Sequence, residues 1–125
     1  MSKVLIYNLA PEKDAKVKML CRKFGVEGRT VDPSEYGCTL GFLLGLSEDD
    51  AVKDSGSFDE EMLYIAGLRG GMLNLFLDQL RRGRLIIPLK AIQTDTNIGF
   101  TSYELYRELC AERDAIKKGT TQHQG

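Results

Sequence analysis

The chain has 125 residues, of which 42% are hydrophobic, and this length fits one compact domain. Seventeen Lys and Arg residues against eighteen Asp and Glu residues give a net charge of −1. Because no overall positive field attracts polyanions, we predict neither nucleic acid nor a membrane as a partner.

Three cysteines, Cys21, Cys38 and Cys110, are spread along the sequence. An odd number without CxxC spacing fits neither a disulfide framework nor a zinc site, so we predict reduced thiols. The first apolar stretch is only a strand in length, too short for a signal peptide or a membrane span. We therefore expect a cytoplasmic protein, and no motif predicts a metal or a cofactor.

The first elements in chain order are a buried strand and a helix. KVLIYNL is apolar without alternation, which is typical of a strand that is covered on both faces. An amphipathic helix then begins near Pro11 and ends at Gly25. The polar segment VEGRTVDP can form a strand only at a sheet edge, and SEYGCTLGFLLG predicts one or two helical turns.

An acidic run occupies residues 47–61, with seven Asp and Glu residues against one basic residue, Lys53. Such a run buries little, so we predict that residues 47–60 form the most mobile internal loop. It lacks the spacing of an EF-hand calcium loop, and its role stays open.

A second unit of strand, glycine turn and helix follows in MLYIAG and LRGGMLNLFLDQLRRG. The last strand, LIIPLKAIQT, contains Pro88, which cannot donate in the ladder, so the strand either lies at an edge or begins at this proline. The final helix is predicted to begin at Thr101, with Glu104 completing a capping box. We expect a single domain at residues 1–118 and a frayed tail at 119–125.

These elements predict an α/β fold, a small four-stranded sheet with helices on both faces. Strict alternation favours a parallel, doubly wound sheet, and a ferredoxin-like α+β fold with an antiparallel sheet is the alternative. In both, the two fully apolar strands are central. The sequence leaves the choice between parallel and antiparallel pairing open.

Lys90 is the unexpected residue of the last strand, because it interrupts an apolar run. As an edge residue it would lay its stem on apolar neighbours and block unwanted strand pairing. In a parallel sheet, however, the turns GLRGG and TDTN would share the carboxyl edge, where α/β folds bind ligands. Such an anion site would use the following residues: Arg69, Gly70, Gly71, Lys90, Thr94 and Asn97.

No catalytic residue is predicted. The single histidine, His123, lies in the expected tail, and no cysteine has an obvious activating base. Thr94 and Asn97 also have a structural interpretation, because both side chains commonly hold turns by bonding to the backbone.

The segments VLIYNL, YGCTLGFLLG, EEMLYIAGL, LDQLRR, IPLKAIQTDTN and ELYRELCAER resemble a bacterial family, the domain of unknown function numbered thirty-seven eighty-three. The resemblance extends over residues 3–113. Its most specific part is the pattern of Leu89, Lys90, Ala91, Thr94 and Asn97. The resemblance implies no activity or cofactor, but it implies that these residues form a family pattern.

Three functions are compatible with the sequence. We favour a non-catalytic binding or regulatory module for a small anionic ligand or a protein partner. A small enzyme with Lys90 as base or Schiff-base nucleophile is the second hypothesis, and it requires a buried amine. The third is an interaction subunit that forms a homodimer through an edge strand or the FLLG segment.

Overall fold

The computed structural model describes residues 2–47 and 56–123, with side chains to residue 118. Most of the predicted mobile loop, residues 48–55, lies outside the described residues. The bounds of the strands are β1 Lys3–Tyr7, β2 Glu27–Thr30, β3 Met62–Ala66 and β4 Leu89–Ile92.

The four strands form one mixed sheet in the order β2-β1-β3-β4, with the apolar β1 and β3 in the centre. β1 pairs in parallel with β2, and β3 with β4, whereas the central pair is antiparallel, with Lys3 opposite Ala66 and Tyr7 opposite Met62. The α/β class is confirmed, and the pairing that the sequence left open is mixed, although strict alternation had favoured a parallel sheet. A helix connects β1 to β2 and another connects β3 to β4, whereas the described residues between β2 and β3, 31–47 and 56–61, contain no long helix.

Helices cover both faces of the sheet, as predicted. On one face lie α1, Pro11–Lys23, and α3, Gly70–Arg82. The other face carries the short α2, Leu40–Leu43, and the long α4, Ser102–His123. The backbone of α4 thus continues beyond residue 118, where the sequence predicts the domain to end.

The capping box predicted for α4 is confirmed. The Thr101 backbone N–H donates to Glu104 Oε1 at 3.0 Å, and the Glu104 N–H donates to Thr101 Oγ1 at 3.1 Å. These two bonds satisfy orphan donors at the helix start and fix where α4 begins.

Each face of the sheet has its own apolar core. Val4, Ile6 and Leu63 pack with Val17 of α1 and Phe76 of α3. The opposite core contains side chains from β1, β3, β4, α2 and α4, listed here by its largest buried members: Leu5, Tyr7, Tyr36, Leu40, Met62, Tyr64 and Leu105. Two buried faces explain why β1 and β3 are apolar throughout.

The cysteines lie in or beside these cores, and no disulfide joins them. Cys21 and Cys38 are buried, as predicted for small packing groups. Cys110 is only half-buried on α4, so the prediction that it is largely buried does not hold for this thiol.

The end of the acidic run packs on the α4 face, which the prediction of a solvated loop missed. Phe58 is 5% exposed, and its ring stacks between Tyr36 and Tyr106 at centroid distances of 4.5 and 4.3 Å. Glu60 accepts two hydrogen bonds from the Arg113 guanidinium, at 2.7 and 3.1 Å. These contacts hold the segment between the start of β3 and α4.

The chain contains two structurally equivalent halves. β1 and β3 both have five residues, α1 and α3 both have thirteen, and each pair of elements begins 59 positions apart. The left-handed backbone positions repeat at the same shift, since Asn8 (φ 64°) matches Gly67 (φ 91°) and Gly25 (φ 69°) matches Arg84 (φ 58°). The two βαβ units therefore share one backbone design.

An approximate two-fold axis, normal to the sheet, relates these units. It passes between β1 and β3, because the central pair is antiparallel, the strand order is symmetric about it, and both crossover helices lie on one face. The edges β2 and β4 are consequently equivalent positions, and the differences between the halves show where the chain departs from its own repeat.

Candidate functional site

Lys90 lies on the edge strand β4, and its side chain is exposed. It shares the register of Leu63, so it projects on the α1 and α3 side of the sheet. Its ammonium donates to the backbone oxygen of Ile87 at 2.7 Å. An ammonium has three N–H donors, so this bond leaves donor capacity for a ligand.

Thr94 and Asn97 hold the turn that follows β4. The Thr94 backbone N–H donates to Asn97 Oδ1 at 2.9 Å, and the Asn97 N–H donates to Thr94 Oγ1 at 3.0 Å. Asn97 Oδ1 also accepts from the Tyr64 hydroxyl at 2.6 Å, and its amide donates to the Ile92 oxygen at 3.0 Å. These bonds are the structural role that the sequence offered as the alternative to ligand binding.

The turn after β3 begins at the same sheet edge as the turn after β4, because these strands are parallel. The Gln93 N–H donates to the Ile65 oxygen at 2.9 Å at that edge. From there the chain diverges to opposite faces: Arg69, Gly70 and Gly71 lead into α3, while residues 94–97 turn towards α4. Of the predicted site, Lys90, Thr94 and Asn97 thus line one cavity. The other three residues of that site do not line it.

That cavity has a volume of about 340 Å³ and lies between β4 and α4. It is lined by β4, the following turn and α4, through Lys90, Ala91, Ile92, Thr94, Thr96, Asn97, Phe100, Leu105, Glu108, Leu109 and Glu112. A second cavity of about 390 Å³ is lined by Pro88, Leu89, Lys90, Leu109, Glu112, Arg113, Ile116 and Lys117. Because the cavities share Lys90, Leu109 and Glu112, they form one trough, which we name the β4–α4 groove.

The groove runs beside unpaired backbone groups of β4. The Gln93 N–H points towards β3, where it bonds to Ile65. Because alternate residues of a parallel strand bond to the same side, the backbone N–H and C=O groups of Lys90 and Ile92 point away from β3, towards the open edge. The Ile92 oxygen is occupied by Asn97, which leaves the N–H and C=O of Lys90 as the central open pair. Asn97 therefore limits the open edge to a short stretch.

Sequence reasoning missed the α4 side of this groove. Leu109 and Ile116 lie seven positions apart, and Ile116 is 70% exposed. This i, i+7 spacing continues the apolar stripe of α4 beyond Cys110, and it was the available signal. The missed aromatic stack had a signal as well, a single Phe58 inside a charged run.

The ionisable groups with shifted pKa values all shift away from neutrality. Burial raises the pKa of the Cys21 thiol to about 11 and that of the Tyr64 hydroxyl to about 12. The Arg113 guanidinium holds the pKa of Glu60 below its usual value. General acids and bases are tuned towards the working pH, and these shifts run in the opposite direction.

The second half of the chain is similar to a known family. Residues 61–116 match the family model described as Domain of unknown function (DUF3783), so the resemblance predicted from the sequence is confirmed for this segment. The matching segment contains β3, α3, β4 and most of α4, and hence the β4–α4 groove. No curated protein and no solved structure matches the chain.

Two further observations concern the described residues alone. None of their helices combines the length and apolarity needed to cross a membrane. Nor do three or more His, Cys, Asp or Glu side chains converge within residues 2–47 and 56–118 in a way that could hold a metal ion.

Proposed function

We propose that the protein is a non-catalytic binding module that holds an extended segment of a protein partner in the β4–α4 groove. The observation that carries this proposal is the trough between an edge strand and α4, next to the open N–H and C=O of Lys90. An extended segment can add to such an edge through main-chain hydrogen bonds and place alternate side chains in the groove.

The chemistry of the groove defines the segment. Pro88, Leu89 and Ile116 supply apolar surface for one large aliphatic or aromatic side chain. Charged side chains of both signs line the groove, Glu112 and Lys117 among them, so its charge does not select the segment. The partner is therefore an extended sequence with one large apolar anchor.

A homodimer through β4 is less favoured by the same residues. Antiparallel pairing of two β4 edges about their open pair would place Lys90 opposite Lys90 of a second copy. Like charges directly opposite each other destabilise a strand pair, and an edge lysine is a common means of preventing it.

The lysine-enzyme alternative has no support in this geometry. A catalytic amine is activated by burial or a neighbouring cation, whereas Lys90 is exposed and donates to a backbone carbonyl. A cytoplasmic location is part of our proposal, and the lack of a disulfide among the three cysteines supports it.

A peptide-display selection tests the proposal. A library of twelve-residue random peptides is selected against the parent protein, and bound peptides are measured by fluorescence anisotropy with the variants Ile116→Glu and Leu46→Glu. Ile116 is 70% exposed and Leu46 is 64% exposed, so both variants should fold, but only Ile116 lines the groove. We expect peptides with a large apolar residue, and binding at least about tenfold weaker to Ile116→Glu alone.

Equal binding to both variants, or no selected peptide at all, would overturn the proposal. Thermal melting with phosphates, nucleotides and small carboxylates provides the second arm. A parent protein that these anions stabilise, in a manner lost on Lys90→Ala, would show a small-ligand site in place of a peptide groove.

A further inference from the structure

The layer formed by α1 and α3 is strongly basic. Residues 11–23 and 69–84 contain nine Lys and Arg residues against three acidic ones, a net charge of +6 in a chain whose total is −1. The remaining residues of the sequence therefore carry −7. The near-neutral total conceals this division, which is why composition alone predicts no basic surface.

A groove separates the two helices on the outer surface of this layer. It has a volume of about 440 Å³ and is lined by Lys16, Met19, Leu20, Lys23, Gln79, Arg82, Gly83 and Leu85. The four α1 residues have the spacing i, i+3, i+4 and i+7, so they form one stripe along the helix. Leu20 and Leu85 supply apolar floor, and Met19 is 59% exposed.

The internal repeat explains why this groove is open. Gly83 occupies the position equivalent to Phe24, since the two are 59 residues apart. The ring of Phe24 packs edge-on against Phe76 of α3 at a centroid distance of 5.4 Å. Gly83 has no side chain, so no ring covers the groove at the equivalent place, and a Cβ added there would lie 3.3 Å from the Gln79 oxygen and 3.8 Å from Leu85 Cδ1.

The cations that line the groove are available to a partner. Lys23 forms no ion pair with another described residue. Lys16 pairs with Glu12 at 3.4 Å, but both side chains are mostly exposed, and such pairs contribute little stability. Arg82 pairs with Asp78 at 2.8 Å while its side chain remains 74% exposed, so it can also contact a second carboxylate.

We propose that the α1–α3 groove is a second interaction surface, which binds an acidic amphipathic helix of a protein partner. A large apolar side chain of that helix would fill the space beside Gly83, and its carboxylates would pair with Lys16, Lys23 and Arg82. A groove between two helices favours a helix over a flat membrane. The exposed Met19 and the apolar floor formed by Leu20 and Leu85 favour a protein helix over the phosphate backbone of a nucleic acid.

A synthetic helical peptide provides the probe, with Glu on one face and Leu and a single Phe at i, i+3 and i+4 spacing on the other. Its fluorescein-labelled form is titrated with the parent protein by anisotropy at two salt concentrations. We expect saturable binding that weakens with salt, because charge pairs at an interface rim are screened. Amide shifts in a heteronuclear NMR titration should fall on α1 and α3.

Three variants separate charge from the apolar anchor. The double reversal Lys23→Glu with Arg82→Glu should weaken binding at least about tenfold, whereas the control Arg107→Glu with Lys118→Glu on α4 should change it less than about twofold. Gly83→Leu fills the groove and keeps its charge, and we expect a similar loss with an unchanged circular dichroism spectrum. Peptides selected for the β4–α4 groove should bind the Lys23→Glu with Arg82→Glu variant and Gly83→Leu normally, so each proposal can fail alone.

Several outcomes would overturn this inference. Equal weakening by the α4 control would show non-specific charge attraction, and unchanged binding to Gly83→Leu would remove the apolar anchor. Binding of phosphatidylglycerol vesicles or of duplex DNA that depends on Lys23 and Arg82, without binding of the peptide, would assign the surface to a different class of partner.

Discussion

The two βαβ units of this protein have one backbone design but differ in how their turns are held. After β1, the side chain of the left-handed Asn8 bonds to two other segments of the α4 face, at Tyr36 and at residues 58–60. After β3, the equivalent Gly67 has no side chain, and the next glycine, Gly70, begins α3 with a φ of 55°. The turn after β1 is thus held by side-chain hydrogen bonds of Asn8. The turn after β3 is held by the close approach of the Gly67 backbone to Ser2.

The turns after the two edge strands are both closed by side-chain bonds, but they have different surroundings. After β2, Asp32 and Glu35 form a capping box on a short 3-10 helix, Pro33–Glu35. After β4, Thr94 and Asn97 close a turn, and α4 stands off to leave a groove. The difference teaches that two units with one backbone design can be joined to the rest of the chain by different contacts, although α1 of the first unit also lines one of the two grooves. Both grooves proposed as interaction surfaces involve residues of the second unit, Lys90 in one and Gly83 in the other.

The largest effect is expected from Asn8→Gly, which makes the first turn resemble the second. Glycine keeps the left-handed backbone, so the loss is confined to hydrogen bonds. The Asn8 amide donates to the Phe58 and Glu60 oxygens at 2.9 and 3.0 Å, and its oxygen accepts from the Tyr36 hydroxyl at 2.7 Å. We expect a loss of about 2–3 kcal/mol in the free energy of unfolding, measured by urea denaturation. An unchanged stability would mean that these bonds do not hold the turn.

The equivalent change in the second unit, Gly67→Ala, should cost somewhat less, about 2 kcal/mol. A left-handed residue with a Cβ costs roughly 1–2 kcal/mol. In addition, the new Cβ would lie 2.7 Å from Ser2 Cα. Gly25→Ala is the matched control, since its φ is also positive but no heavy atom lies within 4 Å of the new Cβ. If both variants lose the same stability, the contact with Ser2 contributes nothing.

Asn97→Ala and Lys90→Ala compare two residues of one sequence pattern. Asn97 makes four hydrogen bonds within the turn, so its loss should cost about 1–2 kcal/mol of unfolding free energy. Three of these bonds use its side chain. Lys90 is exposed, and its loss should cost under about 0.5 kcal/mol. Thermal melting without ligand checks both, and a much lower melting temperature for Lys90→Ala would assign that lysine to structure.

The sequence predicted the elements better than their arrangement. Strand burial, helix spacing and the Thr101 and Glu104 pair are local signals, and the central strands, the edge strands and the α4 start are as predicted. The direction of β3 relative to β1 depends on residues 31–61, whose short elements carry no periodic signal of pairing. The antiparallel centre could therefore not be derived from β1 or β3 themselves.

The candidate site was predicted in part for the same reason. Lys90, Thr94 and Asn97 are close in the chain, and they line one cavity. Arg69, Gly70 and Gly71 share the sheet edge with them, but the side of the sheet that each turn takes is decided by packing of α3 and α4. Side chains such as Ile116 join the groove only through that packing, far from β4 in sequence.

The last prediction concerns the ion pair between Glu60, at the end of the acidic run, and Arg113 of α4. Asn8 of the first unit also bonds to the backbone of Glu60. The pKa of Glu60 is lowered by its hydrogen bonds to Arg113, so the carboxylate contributes stability above the ordinary glutamate pKa and loses it as the pH falls through the folded value. Because both side chains are about one-third exposed, we expect less than about 1 kcal/mol. The measurement is the difference in unfolding free energy between the parent and Glu60→Gln from pH 7 to pH 3. The difference should be largest at neutral pH and should disappear at the acid end, where Glu60 is protonated. A gap that persists at pH 3 would mean that Glu60 holds the segment by packing and not by charge.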